Sequence, residues 1–491
     1  MTDSADGPTL RLTVAGAADR ACLDAARDRA EQTRVVETGP TGGPNGPYAY
    51  LTVDDRTALY AAVTASTVQR LLDACEEGRL PTAEAEAVAD GDGDGQPQPT
   101  EGPLSVGTRR VLGGCGWHAP TTVPDTVAPE IRADPEGAFE TVARIGLRGR
   151  GRADAATDEP LTESWAEIRD GDGSPVLVVN AADADPEAGA DRLLCASAAG
   201  RLHDAASAAS AVLGAEDVVV LAPDDPLVVE RLEAAGEWHV VAAEDDFRLG
   251  EPTMALERLE GNDRIEARRR PPGPEEWGLY GRPTAVHTPR TLLQTAELWR
   301  NPEAFDAETS DPGTRLVSVG GDVAVPATVE LPTDVPLSRA LSAVDAPDDA
   351  RFAVGGRFGG VTRSLDVPVA APALSAAGLG TEGVVEVLGP DRCIVASVGE
   401  RAAFAREENC GRCVPCREGS KQLHEALRAV YDGEFDAAKI RELSRVMATT
   451  SLCEFGETAA RPVRTALEDF EGEFRAHADG RCPAGACGGL Q

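Results

Sequence analysis

Apolar and polar positions along the chain sort into four regimes. In residues 1–88 the runs TLRLTVAG and PYAYLTV have the density of strands, and AADRACLDAARDRAEQ and TASTVQRLLDACEEG have the 3.6-residue spacing of helices. This predicts a small α/β unit. The stretch ADGDGDGQPQPTEGP follows, without hydrophobic period, and residues 89–104 read as a flexible linker. From 105 to 312 buried strands alternate with helices. PVLVVNAAD, EDVVVLAP and WHVVAAED predict strands, PLVVERLEAAG predicts a helix, and GADRLLCASAAGRLHDAASAASAVLG predicts one long Ala-rich helix. Such βαβ alternation argues for a parallel sheet with helices on both faces.

Residues 313–396 switch to short strands between Gly and Pro turns, as in RLVSVGGDV, PATVELPT and GVVEVLG, and predict a small β-rich domain. After 397 the period is helical again. Leu423, Leu427 and Val430 share one stripe, and RPVRTALEDFEGEF aligns Val463, Leu467, Phe470 and Phe474 on another. Helical residues 397–476 and a tail of 477–491 complete a multidomain α/β chain with no internal repeat. At 491 residues, several cores are required.

Charge adds habitat to this picture. The chain carries 83 acidic and 47 basic residues, a net charge of −36, and only two lysines, Lys421 and Lys439. A surface this negative disfavours nucleic acid and anionic membrane as partners. It suits a high-salt cytoplasm, where screening removes most of the self-repulsion. No run of about 18 apolar residues occurs, so no membrane insertion is expected. The polar, acidic start MTDSADGPTL does not resemble a signal peptide, and the expected location is cytoplasmic, docked on a membrane complex at most. In that compartment eleven cysteines read as metal ligands or buried thiols rather than disulfides.

The chemistry concentrates in ENCGRCVPCREG. Cys410, Cys413 and Cys416 form C-x2-C-x2-C, a turn that can occupy three corners of a cubane. The fourth corner must come from elsewhere, and Cys453 in SLCEFGETAARPV is the candidate, with 36 residues between it and Cys416. Intervening helices can fold as a hairpin that returns the chain. Both cysteine loops precede helices, whose N-terminal N–H groups favour thiolates, and Arg412 and Arg417 add positive charge. Zinc sites usually show C-x2-C pairs, and buried thiols rarely come at this spacing. A [4Fe–4S] cluster is therefore favoured over zinc, over [2Fe–2S], and over plain thiols.

These two segments resemble the cluster-binding end of the NADH-binding flavoprotein subunit of respiratory complex I, and equally its counterpart in NAD-linked hydrogenases and formate dehydrogenases. The family pattern is ESCGxCxPCREG followed by (T/S)LCxxGxxAxxPV, with Asn409 the single change in the first motif. Further upstream, RRVLGGCGWHAPTTV, IGLRGRG, VVNAADADPEAGADRLL, LGEPTMALERLEG and RRRPPGPEEWGLYGRPTAVHTPRTL resemble successive family segments. The resemblance implies a thioredoxin-like remnant at 1–88, a Rossmann-like flavin/NADH domain at 105–312, a β-grasp (ubiquitin-like, SLBB-type) domain at 313–396 and a helical cluster domain at 397–476. It implies FMN and NADH as cofactor and substrate, contacted by Gly149, Gly151, Asn180 and Glu251. It also implies other redox subunits or a ferredoxin-like carrier as partners.

The flavin loop departs from that pattern. The family's GRGGAGFPTGxKW, which wraps FMN with glycine amides and a lysine, here reads GRGRADAATDEPLTESW. Two glycines have become Arg152 and Asp154, the aromatic is Ala155, and the lysine is gone. Asp154, Asp158 and Glu159 would crowd the phosphate, each at a cost on the order of 1 kcal/mol or more. Ala182 replaces an Asp, Pro252 replaces the second Glu of GEE, and His287–Thr288 replaces Asn–Asn. Four independent changes at one site argue for a lost or altered pocket.

Three readings stay open: an iron–sulfur electron-transfer protein with an eroded flavin/NADH pocket, an active FMN-dependent NADH:acceptor oxidoreductase module, and a non-catalytic scaffold subunit. The tail RCPAGACGGLQ holds Cys482 and Cys487. In some hydrogenase-linked relatives such a segment leads into a ferredoxin extension; here it is expected to be a loose tail. Cys22, Cys75, Cys115, Cys195 and Cys393 are scattered without ligand spacing.

Overall fold

The computed structural model describes residues 7–44, 46–90, 96–182 and 184–487. Parts of the first unit, the linker and the tail (1–6, 91–95 and 488–491) lie outside the described residues. Among those described, fourteen strands form three sheets.

The first sheet runs β2-β1-β3-β4-β5, from strands β1 (Thr9–Thr13), β2 (Arg34–Thr38), β3 (Ala49–Val53), β4 (Arg56–Tyr60) and β5 (Ala87–Asp90). β1 and β2 are parallel across the helix Ala17–Arg29, and the remaining pairs are antiparallel. Leu10, Leu12 and Leu51 bury against Leu23 on that helix and Leu71 and Leu72 on the helix Ala65–Glu76. The unit docks through Arg231, whose guanidinium donates to Glu37 at 2.7 Å and to the Val14 carbonyl at 3.1 Å.

The second sheet is wholly parallel, in the order β8-β7-β6-β9, from β6 (Val176–Asn180), β7 (Asp217–Pro223), β8 (His239–Ala243) and β9 (Thr284–His287). Every residue of β6 is buried, as a strand covered on both faces must be. The Ala-rich run is not one helix. It breaks at Ala198 (φ −138°, ψ 31°) into Ala190–Ser197 and Ala199–Leu213. The Gly200 amide there donates to the Pro120 carbonyl at 2.9 Å, so a tertiary contact outweighs helical propensity.

The third sheet runs β11-β10-β14-β12-β13, from β10 (Thr314–Gly321), β11 (Ala327–Pro332), β12 (Arg351–Val354), β13 (Gly360–Thr362) and β14 (Val384–Leu388). Within it β10 and β14 pair in parallel at the centre, and the other pairs are antiparallel.

The C-terminal helices are Ile394–Glu408, Val414–Tyr431, Ala437–Thr450, Glu454–Thr458, Arg461–Asp469 and Glu471–Ala478. The stripe of Val463, Leu467, Phe470 and Phe474 is buried as the pattern predicts, but the run is two helices. The chain turns at Phe470 (φ −130°, ψ 21°) so that both pieces bury into one core. No helix among the described residues is long and apolar enough to cross a membrane.

Candidate functional site

The cluster loop leaves the helix Ile394–Glu408 through Asn409. The Asn409 side chain donates to the carbonyls of Ala405 (2.9 Å) and Arg406 (2.8 Å) and accepts from the Gly411 amide (3.0 Å). It therefore closes the helix end and shapes the loop start. Cys413 is the N-cap of the helix Val414–Tyr431, and Cys416 lies in its first turn. The helix Ala437–Thr450 packs back along it and delivers Cys453, itself the N-cap of Glu454–Thr458. Cys410, Cys413, Cys416 and Cys453 then line one void, together with Ala267, Leu452 and Phe455.

Close packing holds the two ligand segments together. A β-carbon on Gly456 would sit 2.9 Å from the Cys416 Cβ and 2.5 Å from the Ser451 hydroxyl oxygen. Four phenylalanines, Phe247, Phe358, Phe404 and Phe455, stack edge to face at 5.0–5.9 Å beside the void. Burial pushes the Cys416 thiol up to about 12, with Cys413 and Cys410 adding to it. Burial also pushes Cys453 up, with Glu251 adding to it. These two buried thiols become good ligands only where iron supplies the compensating positive charge. The donor set fits a [4Fe–4S] cluster, for which four cysteines each bind a different iron. Arg412 donates to the Ala267 carbonyl and Arg417 to the Gly411 carbonyl, both at 2.8 Å, so the two guanidinium groups brace the loop.

The flavin-type loop is arranged differently, because its own side chains occupy one another. Asp154 is buried, and its carboxylate accepts from the Ala156 amide (2.9 Å) and the Thr288 amide (3.1 Å) and meets His287 Nδ1 at 3.0 Å. Trp165 Nε1–H donates to His287 Nε2 at 2.8 Å. Nε2 is thus an acceptor, and the ring proton on Nδ1 points to Asp154. Thr288 donates its hydroxyl to the Arg150 carbonyl at 2.5 Å. Gly151 (φ +89°) passes so close to Arg290 that a β-carbon would lie 2.8 Å from its guanidinium carbon. Arg290 in turn grips Asp191 through two nitrogens, at 3.1 and 2.6 Å. The Arg152 guanidinium lies 3.7 Å over the Phe247 ring and against the backbone of Gly250.

The residues expected to hold flavin are likewise bonded within the protein. The Gly149 amide donates to the Glu159 carbonyl at 3.1 Å. The Asn180 side chain donates to the Leu249 carbonyl at 2.9 Å and accepts from the Ala182 amide at 3.3 Å. Glu251 caps the helix Pro252–Leu259, accepting from Met254 (2.9 Å) and Thr253 (2.5 Å), with Arg270 at 3.2 Å. Asp158, expected beside the phosphate, has protein partners of its own. It turns to Arg315 at 2.6 Å and to the Thr381 hydroxyl. Past the carboxyl ends of β6 and β8 opens a cleft of about 610 Å³, where an open parallel sheet binds ligands. Its walls include Glu244, Asp245, Asp246 and Glu408 alongside Arg248, Arg258 and Arg357.

Cys393, Cys482 and Cys487 are neither scattered nor loose. They converge with His477 at the far end of the helical core. Cys393 precedes its partner His477 by 84 residues, so no local spacing could reveal the group. The pair Cys482 and Cys487 in CPAGAC was the one available signal.

Residues 396–477 match the family model of the NADH-ubiquinone oxidoreductase-F iron-sulfur binding region. The chain is 30% identical over 395 residues to the F subunit of NADH-quinone oxidoreductase of Mycobacterium bovis, spanning 71% of this chain and 86% of that protein. To the NADP-reducing hydrogenase subunit HndC of Solidesulfovibrio fructosivorans it is 27% identical over 433 residues, spanning 79% and 86%. A chain of the crystal structure of NAD+-reducing [NiFe]-hydrogenase in the H2-reduced state shares the fold, with a TM-score of 0.66 at 22% identity over 96% of this chain and 84% of that one.

Proposed function

The chain belongs to the family of the NADH-quinone oxidoreductase F subunit, and from that premise we propose that it is a one-cluster electron-transfer protein whose flavin/NADH pocket has closed on itself. Cys410, Cys413, Cys416 and Cys453 would ligate the cluster. When bound, a [4Fe–4S] cluster takes up and gives back one electron at a time. The protein's part is to hold four thiolates, to direct helix N-termini at them, and to exclude water with the phenylalanine wall. The Glu454 carboxyl, next to Cys453, is pushed up to about 8 by burial, with Glu382 adding and Arg152 and Arg461 opposing.

The observation that carries the closed pocket is the Asp154–His287–Trp165 chain of bonds, set inside the loop that would otherwise wrap flavin phosphate. The alternative is an active FMN-dependent NADH:acceptor oxidoreductase. It draws on the open cleft beyond β6 and β8, whose walls carry four carboxylates against three arginines, a balance that gives a dinucleotide's phosphates no net positive charge. Two finer assignments accompany the reading. The third sheet, numbered within its own unit, has the order 2-1-5-3-4 with parallel central strands, which supports a β-grasp domain at 313–396. The 83 acidic residues support work in concentrated salt, where their repulsion is screened. Electron partners would be other redox subunits or a ferredoxin-like carrier.

Iron, sulfide and acid-released FMN are counted together in anaerobically purified protein. About four irons per chain and no FMN are expected. Stoichiometric FMN with NADH-dependent dye reduction overturns the closed pocket, and iron-free stable protein overturns the electron-transfer role.

A further inference from the structure

Among the described residues, one group of metal-binding atoms packs tightly enough for a single ion. The sulfurs of Cys393, Cys482 and Cys487 and a ring nitrogen of His477 all lie within 4.8 Å of one another. The four cysteines of the cluster void are not in that group, and the difference is chemical. Thiolates about 2.3 Å from one tetrahedral zinc ion lie roughly 3.8 Å apart, whereas cubane ligands bind different irons and stand farther apart.

Each ligand is placed by a different part of the fold. Cys393 is the N-cap of the helix Ile394–Glu408, and its sulfur receives the Ala396 amide at 3.4 Å. His477 sits in the last turn of the helix Glu471–Ala478. Its Nδ1 lies 2.7 Å from the Glu473 carbonyl, so Nδ1 carries the proton and Nε2 keeps its lone pair. That Nε2 faces the sulfurs of Cys393 and Cys487, each at 3.2 Å. After the helix the chain reverses: the Arg481 amide donates to the Ala476 carbonyl at 2.8 Å and the Gly485 amide to the Cys482 carbonyl at 3.1 Å. This tight knuckle brings Cys482 and Cys487 back over His477.

We propose that Cys393, His477, Cys482 and Cys487 form a zinc site that fastens the tail to the helical domain. Three thiolates and one imidazole complete a tetrahedron, leaving no open position, which is the arrangement of a structural ion and not of a catalytic one. The imidazole's second nitrogen is already held by a backbone carbonyl, as ligating histidines require. The site and the cluster loop stand at opposite ends of the helix Ile394–Glu408, whose 15 residues span roughly 22 Å. The ion therefore braces the domain from the end away from the cluster and, being zinc, takes no electron itself.

Metal analysis of full-length, cluster-loaded protein purified without chelator should find about one zinc per chain beside the iron. Cys482→Ser and Cys487→Ser should each release that zinc while iron content and the cluster's paramagnetic signal remain. Cobalt supplied in place of zinc should give intense thiolate-to-cobalt absorption, lost in Cys393→Ser and His477→Gln. If either of those two fails to fold, the tail variants decide, because Cys482 and Cys487 lie beyond the last helix. Zinc unchanged in both tail variants overturns the ligand assignment. So does a zinc-free native protein whose Cys482 and Cys487 react with maleimide as fast as in the unfolded chain. Iron at this site, counted beyond the cluster's own, overturns the choice of zinc.

Discussion

The cluster loop and the flavin-type loop of this chain have opposite states of satisfaction. Around the void at Cys416 and Cys453, buried sulfurs face each other, and burial raises their thiols. Around Gly149 and Gly151, the Asp154 and Asp158 carboxylates are already bonded to the protein, through His287, Thr288, Arg315 and the Ala156 amide. A cofactor is called for where donors are left with work to do. In the flavin-type loop Arg152 and Asp154 stand where the family pattern has glycines, and the Asp154 carboxylate takes its bonds from within the protein.

The largest break in this comparison comes from the ligands. Cys453→Ser should reduce iron from about four per chain to well below that and abolish the paramagnetic signal, since one corner of the cubane loses its thiolate. Next, His287→Ala should destabilise the α/β unit by about 3 kcal/mol or more, read by denaturant unfolding, because it strands a buried carboxylate and the Trp165 N–H. If the loop instead opens to take up added FMN without loss of stability, the closed-pocket reading fails.

A smaller effect is pH-dependent. Burial opposes ionisation of Asp311, but Arg150 at 2.7 Å and Arg315 at 2.7 Å overcome it and hold the carboxyl well below the usual range. Its folded value is depressed, so its contribution is complete above about pH 4 and is lost as pH falls toward the folded value. Thermal unfolding followed between pH 6 and pH 3 should show wild type losing stability that Asp311→Asn, already destabilised at pH 6, has no longer to lose. The smallest effect is expected from Asn409→Ser, which gives up two helix-end bonds. It should cost about 1 kcal/mol and leave the iron content intact. Loss of iron there would mean that the loop start, and not the thiols alone, shapes the cluster site.

Much of this was legible from local pattern. The strands at 176–180, 217–223 and 239–243 and the stripe of Leu423 follow from apolar patterning within one element. The two broken helices were not legible, because the breaks at Ala198 and Phe470 are set by distant packing, which propensity does not encode. The partner of Asp158, Arg315, lies 157 residues away. The Asp154–His287 contact spans 133 residues.

By itself the sequence determined the three-thiol turn, the candidacy of Cys453 as its partner and the acidic character of the surface, because cysteine spacing and composition are properties of the chain as written. Only the tertiary structure decided that Asp154 and His287 satisfy each other and that Cys393 meets His477 across 84 residues. Those pairings depend on which helix ends and strand ends the packed core brings together, and no interval along the chain carries that information.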